Sequence, residues 1–377
     1  MTAAPARILA TGCYSVSGSG DGQGVEILSW TPPQPGQPSG EAGSAEVLAR
    51  AELADPSFVL WHPSGALLYA VTETSPTRVV ALRLGAEARS LEAVGELELK
   101  GSGGCHLAFG PDADTLLVAE YGSGHVESVR LDAEGIPVEV VDVIDHHDFA
   151  EGREAHPHQI VLLPGTALIA VPDLGLDRVV VYRQGTGGHL DMEGEIAFRS
   201  GTGPRHLAAD HESYELHIAA ERSGEIVTAL RRRAEEDSGA GQWAPSVQET
   251  PAWSAASAVA GSEQGEMPNP VSHIALSEDE HLVLLANRGP STLAAFDRGG
   301  QTPQRVSEIE VGAHPRHLAI LGDDILVAAQ EAGRIDQIRW TGRELAVAGA
   351  PIPSASVSCI APRPTARPVP AAAPGRN

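Results

Sequence analysis

Apolar residues in this chain fall in short runs, each stopped by a turn rich in Gly, Pro, Asp or Ser. The stretch GTGPRHLAADHESYELHIAAERSGEIVTAL, from Gly201 to Leu230, shows the unit. A first run carries Arg205 and His206. A polar turn from Asp210 to Ser213 leads into a second run, Leu216 to Ala220, and Ser223-Gly224 turns the chain into a third, Ile226 to Leu230. Runs this short, separated by tight turns, predict three antiparallel strands in a meander and not helices.

The phrase returns from Ser57, Cys105, Pro157, Ser272 and Arg316. Aligned on His206, the equivalent residues are Phe58, His106, His158, His273 and His317, so the anchors succeed one another at intervals of 48, 52, 48, 67 and 44 residues. Such a period suits one four-stranded propeller blade, with the outermost strand lying before the next anchor. Leu91–Leu99 and Pro137–Ile144 read as two of those outer strands. Partial repeats stand at both ends: a strand, a polar turn from Ser15 to Gly24 and a strand over Val25–Trp30 at the start, and a strand pair within Leu345–Ile360 at the finish. Six full repeats and one blade shared between the ends predict an all-β, seven-bladed β-propeller of four-stranded antiparallel blades. N- and C-terminal strands close the ring, which would otherwise leave open sheet edges. The domain is expected to cover residues 1–362, with a disordered Pro- and Ala-rich tail over 363–377. Pro32–Gly43 reads as a surface loop. The long interval holds an insertion, Arg232–Asn269, expected to be mostly solvated loop with a strand near Gln248–Trp253.

Composition narrows the function classes. Aromatic residues make up only 4% of the chain, so its core must be built from Ala, Val, Leu and Ile. A net charge of −24 argues against nucleic acid or an anionic membrane surface as partner. Lys100 is the single lysine, so positive charge at any site must come from Arg, and Schiff-base chemistry is not expected. Cys13, Cys105 and Cys359 are an odd set of distant thiols, unsuited to a disulfide framework. No apolar run reaches the roughly 18 residues of a membrane span, and the N-terminus does not read as a signal peptide. A cytoplasmic monomer or weak homo-oligomer is the expectation.

A propeller brings equivalent positions of every blade to one channel mouth, which gathers a candidate site from scattered residues. The starts of the innermost strands supply His106, His158, Arg205 with His206, His273, and Arg316 with His317. The ends of the next strands bring Glu73, Glu120, Asp173, Glu221, Arg288 and Gln330 close by. A histidine that recurs in most blades also serves to hydrogen-bond one blade to the next. Departures from the repeat, such as Arg205, Glu221 and Arg288, are therefore the better pointers to chemistry. The run Asp145-His146-His147-Asp148, with His156 and His158, matches no standard zinc spacing and reads as an outer loop, so no metal and no cofactor are assigned. Neither a Gly-Xaa-Ser-Xaa-Gly elbow nor a phosphate-binding P-loop is present.

EAHPH at 154–158, VPDLGLDRVVVY at 171–182, GPRHLA at 203–208, ANRGPST at 286–292 and CHLA with EYGSG between 105 and 124 carry a resemblance over nearly the whole chain. The chain resembles the lactonase family of seven-bladed propellers, which includes the propeller form of 6-phosphogluconolactonase and the fungal carboxy-muconate lactonizing enzymes. That resemblance implies a carboxylic ester hydrolase opening a small anionic sugar lactone, 6-phosphogluconolactone of the pentose phosphate pathway above all. The alternatives are a muconolactone-forming cycloisomerase and a non-enzymic ligand- or protein-binding propeller. By motif, the resemblance places catalytic roles on His158, Arg205, Glu221 and Arg288, with His106, Tyr121, Asp173, His206, His273 and His317 as substrate-binding residues. Two positions depart from the family pattern. His273 stands where an acidic residue is usual, and Ala220 precedes Glu221 where Asn is commoner.

Overall fold

The computed structural model describes residues 5–15, 20–34, 43–231, 253–263, 268–300 and 302–365. Their strands form seven separate four-stranded sheets, each an antiparallel meander. Blades 1 to 6 begin with the strands Pro56–Trp61, Gly104–Phe109, Val161–Leu162, Pro204–Ala209, Val271–Leu276 and Pro315–Leu321. Blade 7 is built from both ends of the chain. Its innermost strand, Val357–Pro362, pairs with Arg7–Cys13, and Gly24–Thr31 and Ser44–Ala51 complete the sheet. Leu9 faces Pro362 and Thr11 faces Ile360 in that closure. Among the described residues there is no α-helix, and the only helical turns are three short 3-10 segments.

Seven hydrophobic clusters fill the seven gaps between neighbouring blades. In one of them Ile27 and Ala10 of blade 7 meet Val59, Leu68 and Val80 of blade 1. The side chains are mostly Val, Leu, Ile and Ala, as the low aromatic content requires. Flat sheets stacked face to face need no large rings to fill the space between them. The few aromatic residues are placed at seams. Trp30 Nε1 donates to Gln337 Oε1 at 2.8 Å across blades 7 and 6, and Trp61 Nε1 donates to Ala361 O at 3.0 Å across blades 1 and 7.

Several expectations need correction. Leu345–Pro353 and Val357–Pro362 are not a pair: the first is the outer strand of blade 6 and the second the inner strand of blade 7. The strand of the insertion is Trp253–Ala260, and residues 248–252 lie outside the described residues, as do 366–377 of the tail. The strand Pro137–Asp145 takes in Asp145 and runs into a 3-10 turn, His146–Phe149, which opens the connection from blade 2 to blade 3. His146 is fully buried there, with Nδ1 2.8 Å from Asp173 Oδ2 and Nε2 2.7 Å from Tyr182 Oη.

Candidate active site at the channel mouth

Each innermost strand begins with an irregularity that the site depends on. The pairing register skips one residue between Pro56 and Phe58, Gly104 and His106, Pro204 and His206, and Pro315 and His317. An extra residue of this kind breaks the alternation that would send neighbouring side chains to opposite faces. Two consecutive side chains can then serve the axis. The inserted residues are Ser57, Cys105, Arg205 and Arg316, each followed by its anchor. A small axial pocket, with room for about one water molecule, is lined by both kinds: Ser57 and Phe58, Arg205 and His206, Arg316 and His317, together with His158, Cys105 and Ser358.

Ser at the inserted position ties one blade to the next. Ser57 Oγ donates to Gly104 O and Ser272 Oγ to Pro315 O, both at 2.6 Å. Arg205 makes the same tie with one guanidinium nitrogen, Nη1 to Ser272 O at 2.8 Å. It therefore delivers a charge to the axis without giving up the bond between blades.

The anchors form an aromatic ring beneath the mouth. Ring centroids lie 4.1 Å apart for Phe58 and His106, 5.2 Å for His158 and His206, 5.0 Å for His206 and His273, and 4.1 Å for His273 and His317. His206 Nδ1 and His273 Nδ1 are 2.7 Å apart, so one donates and the other accepts. Burial, aided by His317 and the Arg205 charge, lowers His106 to about 3, and burial with the Arg205 and Arg316 charges lowers His317 to about 3. His158, His206 and His273 are pushed well below the ordinary histidine value, again mainly by burial. The ring is neutral near pH 7. His158 reaches it from an irregular segment: only Val161–Leu162 pairs as a strand in blade 3, and His158 N donates to Pro172 O at 3.0 Å. His158 Nδ1 and His206 Nε2 are buried without a hydrogen-bond partner.

Charged residues stand around this ring. Glu221 Oε2 lies 3.1 Å from Arg205 Nε and 2.5 Å from an Arg288 Nη nitrogen. The first contact is off the line of a good hydrogen bond, which leaves the Arg205 Nε–H without a partner. Arg288 is held in place by its own blade, Nε donating to Pro270 O at 2.8 Å. On the far side Arg316 Nη2 donates to Tyr14 Oη at 2.6 Å, and Tyr14 Oη donates to Glu73 Oε2 at 2.5 Å. Burial, then the charges of Arg288 and Arg316, bring the Arg205 guanidinium down to about 9, still cationic at neutral pH. Burial also lowers Arg288, whereas the partners Tyr14 and Glu73 outweigh burial and raise Arg316.

The structure thus brings together His158, Arg205, Glu221 and Arg288, with His106, His206, His273 and His317 forming the floor. Tyr121 is at the rim, edge-on to His158 at 5.5 Å, and burial followed by the Glu221 charge raises its hydroxyl. Asp173 does not join them. It is fully buried, with Oδ2 on His146 and Oδ1 accepting the backbone N–H groups of His156, Gly175 and Leu176. Arg316 and Glu73, which the repeat already placed at the mouth, stand in the site, and Tyr14, which the repeat does not point to, joins them through ring closure.

A family model described as "Lactonase, 7-bladed beta-propeller" matches residues 9–361. The chain belongs to this lactonase family. The chain is similar to an uncharacterised protein of Staphylococcus saprophyticus, 26% identical over 301 residues, with 76% of this chain and 81% of that protein covered. An uncharacterised protein of Staphylococcus aureus is 27% identical over 248 residues, 63% of this chain and 67% of its own. Among solved structures, a periplasmic gluconolactonase of Pseudomonas aeruginosa superposes with a TM-score of 0.80 at 20% identity, covering 95% of this chain and 99% of that one. A Bacteroides fragilis protein whose name proposes a 6-phosphogluconolactonase gives a TM-score of 0.79 at 19% identity over 95% and 98% of the two chains. At such identities these structures show the fold alone.

Proposed function

We propose that this protein hydrolyses an anionic sugar lactone, with 6-phosphogluconolactone as the first candidate. One observation carries the reading: Arg205, Arg288 and Arg316 converge on one mouth against the two carboxylates Glu221 and Glu73, in a protein whose net charge is −24. A local excess of guanidinium in so acidic a molecule suits a ligand bearing phosphate or carboxylate, which planar guanidinium forks grip in bidentate fashion. The names of the two solved neighbours supply the lactone class.

A substrate anion would compete with Glu221 for the donors of Arg288 and would meet Arg316 across the mouth. Loosened from its ion pairs, Glu221 takes a proton from water as that water adds to the lactone carbonyl. Negative charge growing on the carbonyl oxygen is met by the unpaired Arg205 Nε–H. As the ring C–O bond breaks, the proton held by Glu221 passes to the departing sugar oxygen, giving the open hydroxy acid. His158, neutral and with an unpartnered Nδ1, is placed to orient the water or share its proton.

Glu221→Gln tests the assignment, since it keeps the shape of the side chain and removes the base. In a lactone assay kcat should fall by roughly 100- to 10,000-fold, while KM for the phosphorylated lactone does not rise, because the arginines lose a competitor. A folded Glu221→Gln protein with full kcat would make Glu221 a purely structural partner of Arg205 and Arg288.

A further inference from the structure

Blade 2 departs from the repeat at a second place, which the proposed chemistry leaves unused. The last residue of its second strand, Glu120, faces His125, the first of its third strand, as Asp173 faces Arg178, Ala220 faces Glu225, Asn287 faces Thr292 and Ala329 faces Arg334 in the following blades. Two residues further on stands Glu127, where those blades have Val180, Val227, Ala294 and Asp336. Paired residues and alternate residues share one side of a sheet, so Glu120, His125 and Glu127 form a single group. No other blade has two carboxylates at these positions among the described residues.

Single carboxylates at these positions are satisfied locally. Asp336 Oδ2 accepts the Gly312 N–H at 2.6 Å, and Asp173 holds His146. Glu127 does the same with one oxygen, Oε1 accepting the N–H groups of Lys100 and Gly101 at 2.8 Å each, while Ser123 Oγ donates to Glu120 Oε2 at 3.2 Å. Three atoms are left over: Glu120 Oε1, Glu127 Oε2 and His125 Nδ1 are buried without a hydrogen-bond partner. Each of the three residues offers a ligand atom within 4.8 Å of the others. Both carboxylates have 0% exposure, whereas the His125 side chain keeps 22% and forms the solvent side of the group. Burial, then repulsion from Glu127, lifts Glu120 to about 8, and burial raises Glu127 as well. A proton shared by the two carboxylates would join their leftover oxygens but leave the imidazole nitrogen without a partner, whereas a cation engages all three.

We propose that Glu120, His125 and Glu127 bind one divalent transition-metal ion, for which two carboxylates and an imidazole match zinc best. The ion would fasten blade 2 to the 100–101 connection arriving from blade 1, since Glu127 already holds that connection by its other oxygen. It would be a structural fastener, separate from the arginines at the mouth.

The full chain, stripped with EDTA and exchanged into chelator-free buffer, is titrated with zinc chloride by calorimetry, and its unfolding midpoint is followed in parallel. We expect one strong equivalent and a raised midpoint, as a ligand of the native state requires. Glu120→Gln and His125→Ala should each weaken binding by more than the roughly 10- to 100-fold typical of altered outer partners. His147→Ala is the control, because His147 sits nearby against Asp145 and Glu154. It should bind zinc as the wild type does. In EDTA the Glu120→Gln protein should be at least as stable as wild type, having lost one of two opposed carboxylates, and His125→Ala decides the matter if it is not. The proposal is overturned if wild type shows no zinc-dependent heat or shift, if binding survives both substitutions, or if His147→Ala alone abolishes it.

Discussion

Arg205 occupies a position where other blades carry Ser, and it keeps the bond that Ser makes while adding a charge to the axis. Its chain neighbour His206 lines the same pocket, which an unbroken strand would forbid. Arg288 has the opposite character: it is positioned by Pro270 and Glu221 and reaches the mouth from the end of a second strand. Arg288→Lys is therefore expected to raise KM for a phosphorylated lactone by roughly tenfold or more, since an ammonium cannot hold both a backbone carbonyl and an anion in one plane. Steady-state kinetics on the folded variant check this, and an unchanged KM would remove Arg288 from the grip. At this scale the sequence was informative wherever a residue broke the repeat, as at Arg205, Glu221 and Arg288. It was uninformative for Tyr14, which joins Arg316 and Glu73 only because ring closure brings residue 14 beside residue 316. Asp173 misled for a related reason. Its repeat position is right for the mouth, but His146 arrives from the 3-10 turn before blade 3 and engages it.

Strands and turns were legible because each apolar run is short and each stop is chemically clear, and the anchors supplied a ruler for blade length. The bulges were not legible, since they leave no residue type behind: Ser57, Cys105, Arg205 and Arg316 have nothing in common but their place. Nor was the parting of Leu345–Pro353 from Val357–Pro362, because a hairpin and a step between blades show the same strand-turn-strand pattern. The closing strand has a steric demand of its own. A Cβ on Gly12 would stand 2.7 Å from Pro56 O and 2.8 Å from Ser358 Oγ, at the junction of blades 7 and 1. Gly12→Ala should destabilise the ring by about 1–3 kcal/mol, the usual range for overpacking. Urea denaturation measures it, and a midpoint equal to wild type would mean that the closure is looser than this contact implies.

The whole molecule buries a ring of neutral histidines beside two arginines, and this sets its response to acid. The folded-state values of these histidines lie below the unfolded value, with His106 and His317 at about 3. Their contribution to stability is therefore complete above about pH 6.5 and is lost as pH falls toward about 3, because only the unfolded chain takes up the protons. Unfolding at pH 5 should absorb about five protons from the ring alone. Urea midpoints between pH 7 and 4, or calorimetry in buffers of different ionisation heat, report that uptake. A midpoint that stays level over this range would contradict a neutral, buried ring.

The same ring floors a mouth where three guanidinium groups outnumber two carboxylates, and the account rests on what that excess is for. The direct test is a pH-stat comparison of 6-phosphogluconolactone with unphosphorylated gluconolactone as substrates of the full chain near pH 7, each corrected for spontaneous ring opening. We predict enzymatic opening of the phosphorylated lactone with kcat/KM of about 10⁴ M⁻¹ s⁻¹ or more, exceeding that for the neutral lactone by roughly tenfold or more, as a charge-assisted anion grip requires. Equal or faster turnover of the neutral lactone would contradict the role given to the arginines, and no acceleration of either lactone over the spontaneous rate would contradict the proposed function.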